Sequence, residues 1–308
     1  MVRDTPPADE WPERSDSNRS PVRNQGNGVA PAFDLLLVSD GMLTSTFVFL
    51  SGIGPATERR FWQDGLLTWR DFLTQPAVPG LSAHRKRWYN DALTEAESAF
   101  DSGRLDYFAD RLPSREHWRF FELCEPGALY LDIETTGASP HDGDVTVVGL
   151  HRRGETMALV RGETLTTDRL QEELDACTLL VTFFGTGFDV PYLRAKFPRL
   201  TIAKPHFDLC FAARRLGLRG GLKQIEYELG IERTANLRGL DGWDAVRLWS
   251  QWCAGDPAAL DLLLAYNAAD TANLLPLARH VYQELAARFG PESVGAARPS
   301  RVEERAPV

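Results

Sequence analysis

The hydrophobic pattern divides the chain before any chemistry is considered. Residues 1 to about 30 are rich in Pro, Asp, Glu, Arg, Ser and Asn and carry almost nothing apolar. Such a composition cannot offset the entropy of ordering and predicts a disordered tail. The stretch from about Pro291 onward reads the same way. From roughly 33 to 120, apolar residues recur at helical spacing: Phe49, Leu50 and Ile53 lead into Phe61-Trp62, then Leu66, Leu67, Trp69, Phe72 and Leu73, with the rhythm resuming from Trp88 to Phe108. From about 125 to 290 the pattern mixes types. Strands are predicted at 129–134, 145–151, 157–160 and 179–183, and helices near 165–176 and 190–196. From Asp208 onward the spacing is helical, ending in a long helix opened by Gly255-Asp256-Pro257, where Asp at the N-cap and Pro in the first turn form a start signal. Three strands followed by alternating helix and strand predict an α/β sandwich, with a smaller helical domain in front of it.

Within the first predicted strand the pattern is broken by charge. Leu131-Asp132-Ile133-Glu134-Thr135-Thr136-Gly137 follows Ala128-Leu129-Tyr130, so an apolar strand carries two carboxylates into what should be a core. Side chains alternate along a strand, which places Asp132 and Glu134 on one face. Two like charges buried together are expensive without a cation between them. Paired oxygen ligands suit a hard divalent ion such as Mg²⁺ or Mn²⁺. The plain alternative is an Asp and a Glu on the solvated face of an edge strand.

Two further acids sit in informative places. Val181-Thr182-Phe183-Phe184-Gly185-Thr186-Gly187-Phe188-Asp189 reads as strand, glycine-containing loop and helix start, with Asp189 either an N-cap or a partner of the strand carboxylates. In the last long helix, Tyr266 and Asp270 are four residues apart and stack on one face. They are either a surface pair or, since Leu260, Leu263 and Leu274 share a buried stripe, groups at the edge of a helix packed on the sheet.

Composition adds bounds. The 308 residues allow two domains. A formal charge of −9 argues against a uniformly basic nucleic-acid binder, though not against nucleic acid as such, because local charge and bound metal set the field at a site. Four scattered cysteines without a C-x-x-C pair argue against a disulfide framework or a structural zinc site. No apolar run approaches a membrane span, and residues 1–28 lack a signal-peptide core. The expectation is a cytoplasmic chain with no membrane association and no obligate protein partner.

Taken in order, Asp132-x-Glu134, Phe188-Asp189 and Tyr266-x-x-x-Asp270 resemble the three exonuclease motifs of the DEDD superfamily in its tyrosine-bearing form. Together with Phe188-Asp189-Val190-Pro191, His206-Phe207-Asp208-Leu209 and Gly221-Leu222-Lys223, the chain looks most like the YprB-type ribonuclease H-like proteins over roughly 110 to 285. The resemblance implies a mixed sheet flanked by helices and 3′-to-5′ exonuclease action on single-stranded ends. It also implies two divalent cations, Mg²⁺ or Mn²⁺, with Asp132, Glu134 and Asp270 on one and Asp132 bridging to the other, which Asp189 supports directly or through water. Tyr266, protonated at neutral pH, would orient the attacking water. His206 and Asp208 also match the family pattern and are assigned a mainly structural role. The family usually carries Asn where this chain has Phe184, which removes an amide able to bond substrate or backbone.

Upstream, Phe49-Leu50-Ser51-Gly52-Ile53-Gly54-Pro55 looks like a helix-hairpin-helix element. In such a turn, backbone N–H groups at a helix N-terminus offer an anion site. Gly52 and Gly54, with Arg59 and Arg60 nearby, are then candidates for phosphate contact, against the reading of a purely structural turn. Basic runs at His84-Arg85-Lys86-Arg87 and from Arg214-Arg215 to Arg219 either line a nucleic-acid path or form solvated helix faces. Two rival functions stay open at this point: a catalytically silent nucleic-acid-binding module of the same fold, and a metal-dependent phosphoesterase acting on small nucleotides.

Overall fold

The computed structural model describes residues 41–295. The tail predicted for residues 1–30 lies outside them, as do residues 33–40 of the predicted helical domain and residues 296–308. Residues 291–295 do not continue as the expected tail, because Glu292–Gly295 forms one helical turn.

After turns at 41–54 come α1 (Pro55–Gln63), α2 (Trp69–Thr74), α3 (Ala83–Asp101) and α4 (Leu105–Ala109), then a 3₁₀ stretch at Ser114–Phe120 and the short α5 (Phe121–Cys124). The helical spacing predicted this region, with one exception. Residues 41–51 contain no helix, so Gly52-Ile53-Gly54 is flanked by a helix on one side only, α1. The cause is competition for backbone groups. Glu58 of α1 accepts the N–H groups of Phe47 and Val48, while the indoles of Trp62 and Trp69 donate to the carbonyls of Ser45 and Thr46.

The sheet has five strands: β1 (Ala128–Thr135), β2 (Val145–Arg152), β3 (Glu155–Val160), β4 (Leu179–Thr182) and β5 (His206–Asp208). Their order is β3-β2-β1-β4-β5, antiparallel on the β3-β2-β1 side and parallel from β1 to β4 to β5. This is the mixed, helix-flanked ribonuclease H-like sheet that the resemblance implies. Four strands follow the predicted spans closely, but β5 is not among the predicted strands; it lies between the helix predicted near 190–196 and the helical spacing from Asp208 onward, overlapping the latter only at Asp208. At three residues it is too short to show alternation, and only its pairing with β4 defines it.

The remaining helices are α6 (Thr167–Asp175), α7 (Asp189–Lys196), α8 (Leu209–Leu216), α9 (Leu222–Leu229), α10 (Gly242–Cys253), α11 (Pro257–Phe289) and α12 (Glu292–Gly295). Alternation along β1 sorts the two layers. Leu129, Leu131 and Ile133 pack with α6 and α7 residues such as Leu170, Leu174 and Leu193. On the other face Tyr130 joins Leu274, Leu277 and Val281 of α11, in a core that runs on into Phe61, Trp69 and Phe108 of the N-terminal helices. No helix among the described residues is long and apolar enough to cross a membrane.

Candidate active site

Asp132 and Glu134 share the face of β1 that carries Tyr130, and α11 crosses that face. The helix turns Tyr266, Asn267, Asp270 and Thr271 inward, all buried. The surface reading of Tyr266 and Asp270 is thereby excluded: they are only 4% and 7% exposed. One carboxylate oxygen from each of Asp132, Glu134 and Asp270 lies within 4.8 Å of the others.

The close approach of α11 has a specific cause in β2. Gly149 is the cross-strand partner of Asp132, and a methyl group there would overlap the side chains of Asn267 and Thr271. The space left by that glycine lets Asn267 Nδ2 donate to Asp132 Oδ2 at 3.0 Å.

Asp189 comes from the opposite layer, as the first residue of α7. It does not cap that helix; Phe188 occupies the N-cap position, and no side chain bonds the helix start. The Asp189 carboxylate is 4% exposed, and the N–H groups of Ile133 and of Asp189 itself lie against it. It stands beside the three-carboxylate cluster rather than in it, close enough for its charge to push up Asp132 and Glu134.

The electrostatics are those of acids without enough counter-charge. Burial pushes the Asp132 carboxyl well above the usual range, and Glu134, Asp270 and Asp189 add to the push. Burial and then Asp270 push Glu134 up to about 8. Asp189 is pushed up to about 7, chiefly by burial. Asp270 is raised by burial, with Arg233 and Lys223 pulling it back. Burial and the charges of Asp270, Glu134 and Asp132 push the Tyr266 hydroxyl up, so it keeps its proton.

Two cations that sequence reasoning did not assign complete the site. Lys223 of α9 donates to the Tyr266 hydroxyl oxygen and to the carbonyl of Leu240, with its ammonium 4.3 Å from the centre of the Tyr266 ring. Arg233 pairs with Asp270 and, through two nitrogens, with the buried Glu226. Lys223 lay within a family-like tripeptide, so a signal existed. Arg233 and Glu226 sit in no motif, and only the packing of α9 and the loop after it brings them to Asp270.

The donor set fits divalent cations. Asp132, Glu134 and Asp270 bring three carboxylate oxygens together with Asp189 beside them, Lys223 and Arg233 are the cations set against them among the described residues, and clustered oxygen ligands suit Mg²⁺ or a similar hard ion.

His206 and Asp208 take structural work. His206 Nε2 meets the Thr182 hydroxyl at 2.8 Å, and burial pushes the imidazole down to about 4, so it is neutral. Asp208 accepts the N–H groups of Phe184, Thr186 and Cys210, pinning the loop that leads to Asp189 and capping α8. At the N-terminal region, Gly52 is exposed with φ 81°, Gly54 precedes α1, and Arg59 projects into solvent. Arg60 Nη2 is held by the carbonyl of Pro79 at 2.7 Å. In the basic runs, Lys86 is buried against the Phe72 ring and Arg215 is paired with Glu116, so both serve packing. All four cysteines are free.

A sequence model of the RNase_H superfamily matches residues 129–282, half of the chain. No curated protein matches. Among solved structures, the chain is similar to the family B DNA polymerase of the hyperthermophilic archaeon Pyrobaculum calidifontis, with 16% identity and a TM-score of 0.44 over 56% of this chain and 27% of that one. It is also similar to Brucella melitensis NrnC with bound Mg²⁺, at 23% identity and TM-score 0.41 over 60% of this chain and 83% of that one. NrnC bound to pGG gives 22% and 0.40 over the same shares.

Proposed function

The chain belongs to the RNase_H superfamily, and from that membership we propose that it is a divalent-metal-dependent nuclease, hydrolysing phosphodiester bonds of single-stranded nucleic acid from the 3′ end. The observation that carries the reading is the convergence of Asp132, Glu134 and Asp270 within 4.8 Å, from a strand and a helix far apart in sequence. Buried like charges are costly when uncompensated, and here three converge with a fourth, Asp189, beside them.

On this reading Asp132, Glu134 and Asp270 hold one cation, and Asp132 with Asp189 a second, Mg²⁺ or Mn²⁺. When bound, such ions lower the pKa of the attacking water and neutralise charge building on the phosphate. The chain supplies the rest. Tyr266, kept protonated, is a poor base and orients water by hydrogen bond, and Lys223 holds the tyrosine oxygen in place. Asn267 fixes the rotamer of Asp132. Residues 33–120 act as a domain that holds substrate ahead of the 125–290 nuclease domain. There the N–H groups near Gly52 and Gly54 contact phosphate without reading bases, and Arg59 and Arg60 add charge.

End-labelled DNA and RNA oligonucleotides of matched sequence, incubated with Mg²⁺, Mn²⁺ or EDTA, test this reading. It expects a metal-dependent ladder shortened from the 3′ end. Cleavage that persists in EDTA, or hydrolysis confined to mononucleotide esters, overturns it.

A further inference from the structure

Phe184 is held in a backbone conformation that a bulky residue rarely adopts, with φ 66°. The strain is maintained from outside the residue. Asp208 accepts the N–H groups of Phe184 and Thr186, each at 2.9 Å, and the Thr182 hydroxyl accepts that of Gly185 at 3.1 Å. The ring lies over Gly187, where any side chain would overlap it. Folding gains little from this arrangement, because the ring is 41% exposed and belongs to none of the core clusters. Asn or Gly would occupy the same φ with less strain.

Beside it stands a second exposed aromatic. The Phe211 ring of α8 is 42% exposed, with its centre 5.9 Å from that of Phe184. The Arg214 guanidinium lies 5.4 Å from the Phe211 ring centre, and its side chain is exposed. The group adjoins the carboxylate site: Phe184 opens the loop that runs into Asp189, and its carbonyl accepts the N–H groups of Gly187 and of Phe188, the residue before Asp189. Strained residues concentrate where a ligand is handled. An exposed aromatic surface beside an arginine has the chemistry of a nucleobase stack flanked by a phosphate.

We propose that Phe184 and Phe211 form a stacking platform for a nucleobase of single-stranded nucleic acid next to the scissile end, with Arg214 facing the neighbouring phosphate. The inference rests on the nuclease reading and deepens it. Stacking on a π-face tolerates every base, so the platform selects unstacked strands over duplex without selecting sequence. It also assigns a role to the side chain that stands where a polar amide would otherwise be expected.

Three chains are compared: the parent, Phe184→Gly and Phe184→Trp. Binding of a fluorescein-labelled single-stranded oligonucleotide is followed by anisotropy with Ca²⁺ in place of Mg²⁺, using a normal strand and one with abasic sites near its 3′ end. Phe184→Gly is expected to weaken binding of the normal strand about tenfold, on the scale of one lost aromatic–base stack. Phe184→Trp is expected to keep the parent affinity. Abasic substitution should weaken the parent by a similar factor and leave Phe184→Gly indifferent. Melting temperature separates a structural role: Gly should raise it by relieving strain, whereas a ring needed for packing would lower it. If the parent cleaves oligonucleotides but Phe184→Gly binds equally well and is equally sensitive to abasic sites, the platform is wrong and the nuclease reading stands. A parent that neither binds nor cleaves with Mg²⁺ or Mn²⁺ overturns both.

Discussion

Two regions of this molecule bury carboxylates, and they do so in opposite ways. Under the N-terminal helices, Glu58 and Glu116 are almost fully enclosed with Arg119 between them. Glu58 also accepts Phe47 and Val48 N–H, Glu116 accepts the Trp118 indole, and Arg215 closes the network. Burial raises the Glu58 pKa, but Arg119 and the two N–H groups all pull it back. At Asp132 the balance is reversed: burial raises it, Glu134, Asp270 and Asp189 raise it further, and only Asn267 opposes them. A buried acid whose neighbours stabilise its charge is part of the scaffold. On the proposed function, one whose neighbours are also acids has its charge answered by a cation from outside the chain.

The sharpest test of that contrast is to neutralise one acid in the proposed metal site. Asp132→Asn should lower nuclease activity on the order of 10³-fold, the scale for removing one charge-stabilising group, yet leave the fold intact and the metal-free protein more stable. Single-turnover cleavage and thermal melting in EDTA measure the two effects. An Asn variant that keeps full activity, or melts well below the parent, removes the distinction between the regions.

The mirror experiment is Arg119→Met. It leaves Glu58 and Glu116 buried without their shared partner, and should destabilise by about 3–5 kcal/mol, the range for breaking a buried pair. Metal should not rescue it. Urea unfolding gives the value, and a loss below about 1 kcal/mol, typical of an exposed pair, would place this network on the surface side of the ledger.

A smaller effect is expected at Tyr266, which on the proposed function orients the attacking water without holding a cation. Tyr266→Phe should slow cleavage on the order of 10²-fold and leave a remnant, the lower range for a positioned proton-handling group. An unchanged single-turnover rate would reduce Tyr266 to packing.

The mildest probe is pH without metal. Glu134 and Asp189 have folded pKa values raised to about 8 and about 7 from 4.5 and 3.8. Groups shifted upward bind protons more tightly in the folded state. Their contribution is fully present below the unfolded values and is lost as pH rises through the folded ones. In EDTA, melting temperature should therefore fall between about pH 5 and about pH 8, and Mg²⁺ should restore most at the alkaline end. In Asp132→Asn the fall should be shallower. A metal-free protein whose stability is flat over that range would show that the acids are already compensated.

Much of this site could be read in one dimension, and the reason is periodicity. Alternation along β1 puts Asp132 and Glu134 on one face without reference to any other strand, and the helical repeat stacks Tyr266 on Asp270. The same local rules located four of the five strands and the start of α11 at Asp256-Pro257. What needed the tertiary structure is whatever depends on contacts between distant segments. β5 exists only through its pairing with β4. Gly149 matters because α11 lies on it, and Arg119 because Glu58 is opposite. Arg233 and Lys223 become part of the site because α9 and the loop after it pack against α11. Local spacing sets which face a side chain takes. Only the packed layers set what that face meets, and hence which buried charges are answered within the chain and which are left for a ligand.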